Sequence, residues 1–166
     1  SKEKQKKRDI DNLERMSADD FYKAGKEAYE KKDYSVAAFN FRRAVNMGQA
    51  SKSCLYLSIS LYEWSCQAGN PKLLEEAIDF LAAVVTQDDT PRYHLYLGVI
   101  RFEYGLQTGN ILKCKEAFSD LFKGEGHKDQ PYWLSVAYLQ LAICVGEKLL
   151  FNEALTKFTK SLVSTK

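Results

Sequence analysis

The chain has few residues that break helices: 3 prolines and 9 glycines in 166 residues. That scarcity argues against long proline- or glycine-rich linkers. No apolar run approaches the roughly 20 residues that a membrane-spanning helix needs. Strand-like alternation is nearly absent. There is no glycine-rich phosphate loop, no His-Glu-x-x-His and no nucleophile elbow. With 2 histidines, the chain has little material for acid–base or metal chemistry. No catalytic residue, cofactor or metal is expected, and the chain is read as a non-enzyme.

Net charge is also small, +2 from 24 basic and 22 acidic residues. Residues 1–16 hold six of the basic residues and four of the acidic ones, which leaves 18 of each sign in residues 17–166. A neutral body removes the electrostatic warrant for nucleic-acid binding, and gives no pull towards anionic lipid. No nucleic acid and no membrane span are expected, and a cytoplasmic location is.

The four cysteines, Cys54, Cys66, Cys114 and Cys144, are widely spaced with no Cys-x-x-Cys pair. They read as reduced thiols buried in helices, with disulfides or a Cys/His metal site as alternatives. His94 is expected to be packed, and His127 to lie in a loop.

Hydrophobic residues make up 45% of the chain and recur at helical spacing almost throughout. Residues 1–16 place Ile10, Leu13 and Met16 at helical spacing inside a charged segment, an N-terminal helix or linker. From there the spacing predicts helices over 18–31, 34–48, 50–67, 71–86, 91–107, 111–122, 131–148 and 151–163. Ser17 is placed to cap the first, with Asp19 and Asp20 near the positive end of its dipole. Asn70-Pro71 and Thr90-Pro91 are start signals, and Gly48 and Gly69 are stops.

The chain also repeats itself. A shift of 40 residues sets Leu55-Tyr56-Leu57 on Leu95-Tyr96-Leu97 and Gly69-Asn70 on Gly109-Asn110. It matches ten of the 28 positions from 54 to 81 without a gap. Two adjacent helical hairpins of one design follow.

Phe21, Ala24, Gly25 and Tyr29, then Asp33-Tyr34 and Ala37, Phe41 and Ala44, follow a large–small–aromatic pattern. In that respect residues 18–49 resemble the tetratricopeptide repeat (TPR) family. Ala142, Phe151, Ala154 and Phe158 keep the same frame near the end. The middle hairpins pair Ser58 with Ala77 and Gly98 with Ala117, 19 apart. Gly25 and Ala37, or Ala142 and Ala154, are only 12 apart. Each middle hairpin thus has seven extra residues, roughly one added turn on each side of its Gly-Asn turn. Arg101 and Gly124 depart from the pattern. The resemblance implies an all-α, right-handed superhelical solenoid of four hairpins (about 18–49, 50–88, 90–124 and 130–164) within a 17–166 domain.

It also implies a function: a non-catalytic adaptor that holds a protein or peptide segment in a concave groove. Transferred position by position, the groove comprises Tyr22 and Lys26 from repeat one. Repeat two contributes Lys52, Tyr56, Ile59, Tyr62 and Glu63; repeat three contributes Arg92, Tyr96, Val99, Phe102 and Glu103. Repeat four contributes Leu139, Gln140 and Ile143. Tyr62, Tyr96 and Phe102 are expected to be at least partly exposed there. The clamp that some TPR adaptors use for a C-terminal carboxylate is not expected, because only Arg92 keeps its charge type in place. Leu155, Phe158 and Leu162 share one face of the last helix with no hairpin following. Either the native protein continues, or this face meets a partner or a second copy as an oligomer interface. The alternative is that it packs on the preceding helix.

Overall fold

A computed structural model describes residues 1–164. Among the described residues there are nine α-helices and no strand. In chain order they are α1 (Lys2–Arg15), α2 (Ala18–Glu30), α3 (Tyr34–Asn46), α4 (Ala50–Ala68) and α5 (Pro71–Val85). There follow α6 (Pro91–Gln107), α7 (Ile111–Lys123), α8 (Gln130–Val145) and α9 (Lys148–Ser164). The chain forms two compact units, Ser1–Trp64 and Ser65–Lys166, with the boundary inside α4.

In the first unit, the charged N-terminal segment is helix α1, and none of its side chains is buried. α2 opens on a reciprocal capping box. The Asp20 N–H donates to Ser17 Oγ at 3.1 Å, and the Ser17 N–H donates to Asp20 Oδ2 at 2.9 Å. Two of the orphan N–H groups at this end are thereby satisfied. α2 packs on α3. Gly25 makes that approach possible, since a Cβ there would lie 2.8 Å from the Phe41 ring. Phe21, Ala37, Phe41 and Ala44 are fully buried at this seam. α3 ends before Gly48, whose φ of +96° a side chain would resist. On α4, the buried hydroxyls of Ser58 and Ser60 donate to the carbonyls of Cys54 and Tyr56, at 2.8 and 2.7 Å. These two hydroxyls are thereby satisfied inside the core, whereas the buried Ser53 hydroxyl on the same helix has no hydrogen-bond partner among the described residues.

The second unit shows the 40-residue repeat directly. Gly69 and Gly109 have φ of +62° and +67°, and Asn70 and Asn110 are both N-caps with nearly the same backbone angles. The Asn70 side chain accepts from the Lys72 N–H and that of Asn110 from the Lys113 N–H, both at 3.2 Å. Here α5 packs on α6, α6 on α7, α7 on α8 and α8 on α9. The seven extra residues of repeat three divide between its two helices. From Gly98, α6 continues four residues further than α2 does from Gly25. α7 begins three residues further ahead of Ala117 than α3 does of Ala37.

Both departures from the repeat pattern have partners. Arg101 Nη1 donates to Asp120 Oδ2 at 2.7 Å, from α6 to α7. Gly124 lets α6 close in, because a Cβ there would meet Leu95 Cβ at 2.8 Å.

The last hairpin turns earlier than its spacing suggests. α8 stops at Val145 instead of 148, and α9 begins at Lys148 instead of 151. The cause is Gly146, whose left-handed φ of +69° ends α8 while its N–H donates to the Ala142 carbonyl at 2.7 Å. The cysteine expectation also needs correction. Cys54 and Cys114 are buried, but Cys66 and Cys144 are exposed, and no disulfide forms among them. No helix among the described residues is long and apolar enough to cross a membrane.

Candidate functional site

Four groove candidates converge in the first unit. Tyr22 and Lys26 are one helical turn apart on α2, and Lys52 and Tyr56 are one turn apart on α4. Residues at i and i+4 share a helix face, so each pair projects to one side. The Tyr22 and Tyr56 rings meet edge to face, with centroids 5.8 Å apart. Buried Phe41 forms the floor, stacked on Tyr56 at 5.2 Å and edge-on to Tyr22 at 6.0 Å. Both tyrosines remain partly exposed.

Ammonium groups border the rings. Lys52 Nζ lies 4.1 Å from the Tyr22 centroid, and Lys26 Nζ lies 5.9 Å from both tyrosine centroids. Lys52 also donates to Asp19 Oδ1 at 3.1 Å, while Lys23 pairs with Asp19 Oδ2 at 3.0 Å. The hydrogen bond from Lys23, then that from Lys52, holds the Asp19 carboxyl below the usual carboxylate range. Lys26 makes no ion pair among the described residues, so its charge is available to an incoming carboxylate. The arrangement offers aromatic faces and a cationic rim, which suit a segment carrying both an apolar and an acidic side chain.

Ile59 and Glu63 continue the Lys52–Tyr56 stripe along α4 at i+7 and i+11 from Lys52. Ile59, Tyr62 and Glu63 are all partly buried. Burial raises the Glu63 carboxyl, with Lys32 opposing the rise.

The second unit does not build a matching surface from its candidates. Val99 and Phe102 are core residues, only 6% and 3% exposed, and the Phe102 ring packs edge-on to Phe118 at 5.8 Å. The expectation that Phe102 faces a groove is therefore corrected. α6 contacts α5, α7 and α8, and these neighbours cover Val99 and Phe102 together with Leu95, Leu97 and Ile100. Tyr96 is half-buried, with its hydroxyl 3.5 Å from Asp129 Oδ2. Burial, then Asp129, raises its phenol. Arg92 is exposed and folds onto its neighbour Tyr93, with Nη2 donating to the hydroxyl at 2.9 Å. Glu103 accepts from Gln107 Nε2 at 3.0 Å. Ile143 is exposed.

Another surface emerges at the last hairpin. A cleft of about 510 Å³ between α8 and α9 is lined by Tyr132, Val136, Leu139, Phe151, Leu155 and Phe158, among others. Leu155, Phe158 and Leu162 are exposed, so this face does not pack on the preceding helix. Tyr132, Val136 and Phe151 were missed as site residues. A signal for them exists: α8 contains no Asp, Glu, Lys, Arg or His in its 16 residues. A second cleft, about 550 Å³, lies among α5, α6 and α7 and holds four carboxylates with Arg101, Lys113 and Tyr104. Its charges are partly matched internally: Asp120 pairs with Arg101, and Glu75 accepts from the Tyr104 hydroxyl at 3.0 Å.

His94 is buried, with Nε2 hydrogen-bonded to the Asp89 carboxylate. No group of three or more His, Cys, Asp or Glu side chains among the described residues is placed to hold a metal ion. His127 lies between α7 and α8, its ring edge-on to Tyr96 at 6.0 Å.

No family model matches this chain, and no curated protein matches it significantly.

Proposed function

We propose that this chain is a non-catalytic interaction module of TPR-like hairpins, an adaptor that takes a protein or peptide segment. The observation carrying this reading is the convergence of Tyr22, Lys26, Lys52 and Tyr56 over Phe41. Rigid aromatic side chains bind with little loss of conformational freedom, and they are enriched at recognition surfaces. The two lysines select among apolar segments by favouring one with a side-chain carboxylate.

A peptide display library selected on the immobilised chain tests the proposal. Enriched sequences should place an aromatic or aliphatic residue within a few positions of Asp or Glu. Lys26→Glu should abolish the enrichment while circular dichroism stays unchanged. Enrichment without acidic residues, or selection indifferent to Lys26→Glu and Lys52→Glu, would refute the site.

A further inference from the structure

We infer that the open face of α8 and α9 is a self-association surface, on which two copies of this chain pack hairpin against hairpin. The inference stands apart from the adaptor proposal, since it uses neither Tyr22 nor Lys26.

Two stripes define the face. On α8, Tyr132, Val136, Leu139 and Ile143 follow steps of four, three and four. On α9, Phe151, Leu155, Phe158 and Leu162 repeat those steps. This is the spacing of a knobs-into-holes seam. Behind it, Leu134, Ala137, Leu141 and Ala142 are already buried. α8 is thus apolar on both sides and free of charge, the composition of a helix covered on both sides. Yet Ile143 is 67% exposed and Leu155 is 66% exposed.

Two arguments select a second copy as the cover. The first is area. Burying what these stripes expose would remove on the order of 700 Å² per copy, close to one partner's share of a standard stable interface. A single peptide helix seated in the cleft would leave the outer ends, Ile143 and Leu162, in water. A second two-helix face covers both stripes, as in a four-helix bundle. The second is charge. An isologous interface must complement itself, so its patch needs both signs or none. α8 has none, and none of the eight stripe residues on α8 and α9 is charged. A face built for a strongly acidic or basic partner would carry one sign on both helices.

Sedimentation equilibrium on the full chain, from low to several hundred micromolar, is the test. Reversible monomer–dimer behaviour is expected. Leu155→Glu should raise the dimer Kd by about a hundredfold or more, as loss of a central apolar anchor does. Ile143→Glu on the facing helix should do the same, and it keeps the test valid if Leu155→Glu misfolds. Leu112→Glu, at an exposed leucine on α7, should leave the dimer intact. Lys26→Glu should leave it intact too, which separates this surface from the adaptor site. A chain that stays monomeric throughout would overturn the inference, and the face would then belong to another protein or another segment. A dimer that survives both glutamate variants, or that Leu112→Glu dissociates equally, would overturn it as well.

Discussion

Replacing Gly98 with alanine sets two effects of comparable size against each other. A glycine inside a helix costs about 1 kcal/mol relative to alanine, so propensity alone favours the variant. Packing opposes it. A Cβ at position 98 would lie 2.7 Å from the backbone nitrogen of Leu121 and 2.8 Å from its Cγ. The backbone nitrogen belongs to the body of α7, and the Leu121 side chain is fully buried. Neither can swing aside as a flexible surface group would. Relief requires α7 to retreat from α6 by a substantial fraction of an ångström. Tilting α7 alone is also resisted, because Gly105 holds the far end of the same contact. A Cβ there would meet Cys114 Sγ at 2.6 Å and its backbone nitrogen at 2.8 Å. Overpacking of this kind costs about 1–3 kcal/mol. Gly98→Ala should therefore destabilise the chain by about 1 kcal/mol net, with overpacking exceeding the propensity gain. Gly98→Val, larger and β-branched, should cost about 3 kcal/mol or more. Urea unfolding followed by far-UV circular dichroism measures both. A Gly98→Ala variant about 1 kcal/mol more stable than the parent would refute the argument, because propensity would then have met no steric resistance.

Three further outcomes are expected. Arg101→Met strands the nearly buried Asp120 carboxylate and should cost about 1–3 kcal/mol, with Asp120→Asn in the same chain recovering part of the loss. An Arg101→Met chain of parental stability in urea would show that the pair is not needed. Cys66 and Cys144 should react promptly with a maleimide at neutral pH, and Cys54 and Cys114 only after unfolding. Burial pushes the Cys114 thiol up to about 11, so mass spectrometry showing it labelled as fast as Cys144 would contradict its packing. Burial raises the Glu63 carboxyl, so its ionised form is disfavoured in the folded chain. The resulting loss of stability is absent below the unfolded value and sets in as pH rises through the folded one. Glu63→Gln should raise Tm at neutral pH, and the gain should vanish on acidification below the usual carboxylate range.

Local signals in the sequence carried much of the fold. Ser17, Asn70 and Asn110 announce helix starts because their side chains satisfy N–H groups within three residues, a matter of local chemistry. The repeat was legible for the same reason, since Gly69-Asn70 and Gly109-Asn110 build one turn twice. Tyr22, Lys26, Lys52 and Tyr56 were named as groove positions only through the TPR resemblance, and the i, i+4 spacing within each pair is what lets it share one helix face. The burial of Phe102 could not be anticipated. On α6 the apolar residues circle the helix, and spacing alone does not say which faces α5, α7 and α8 will cover. Arg101 looked like a fault in the pattern until Asp120 supplied its partner. Its distance in sequence, 19, equals that from Gly98 to Ala117, so the repeat frame itself pointed to the pair.

The two proposed surfaces differ in ways that their proposed tasks require. A face that associates with its own copy is present at matched concentration and can be apolar throughout, since nothing needs to be told apart. The α8–α9 face has that character, with no charge along α8. A surface that must choose among segments gains discrimination from charges that penalise the wrong partner when left unpaired. Tyr22 and Tyr56, bordered by Lys26 and Lys52, have that character, and Lys52 already shares the Asp19 carboxylate with Lys23. The choice of segment then rests chiefly on Lys26. Reversing Lys26 should change which peptides bind, whereas reversing Lys52 also sets a carboxylate beside Asp19 and should weaken binding with less change in preference. If the two reversals altered peptide preference equally, Asp19 would not be engaging Lys52 in solution, and the assignment of selectivity to Lys26 would fail.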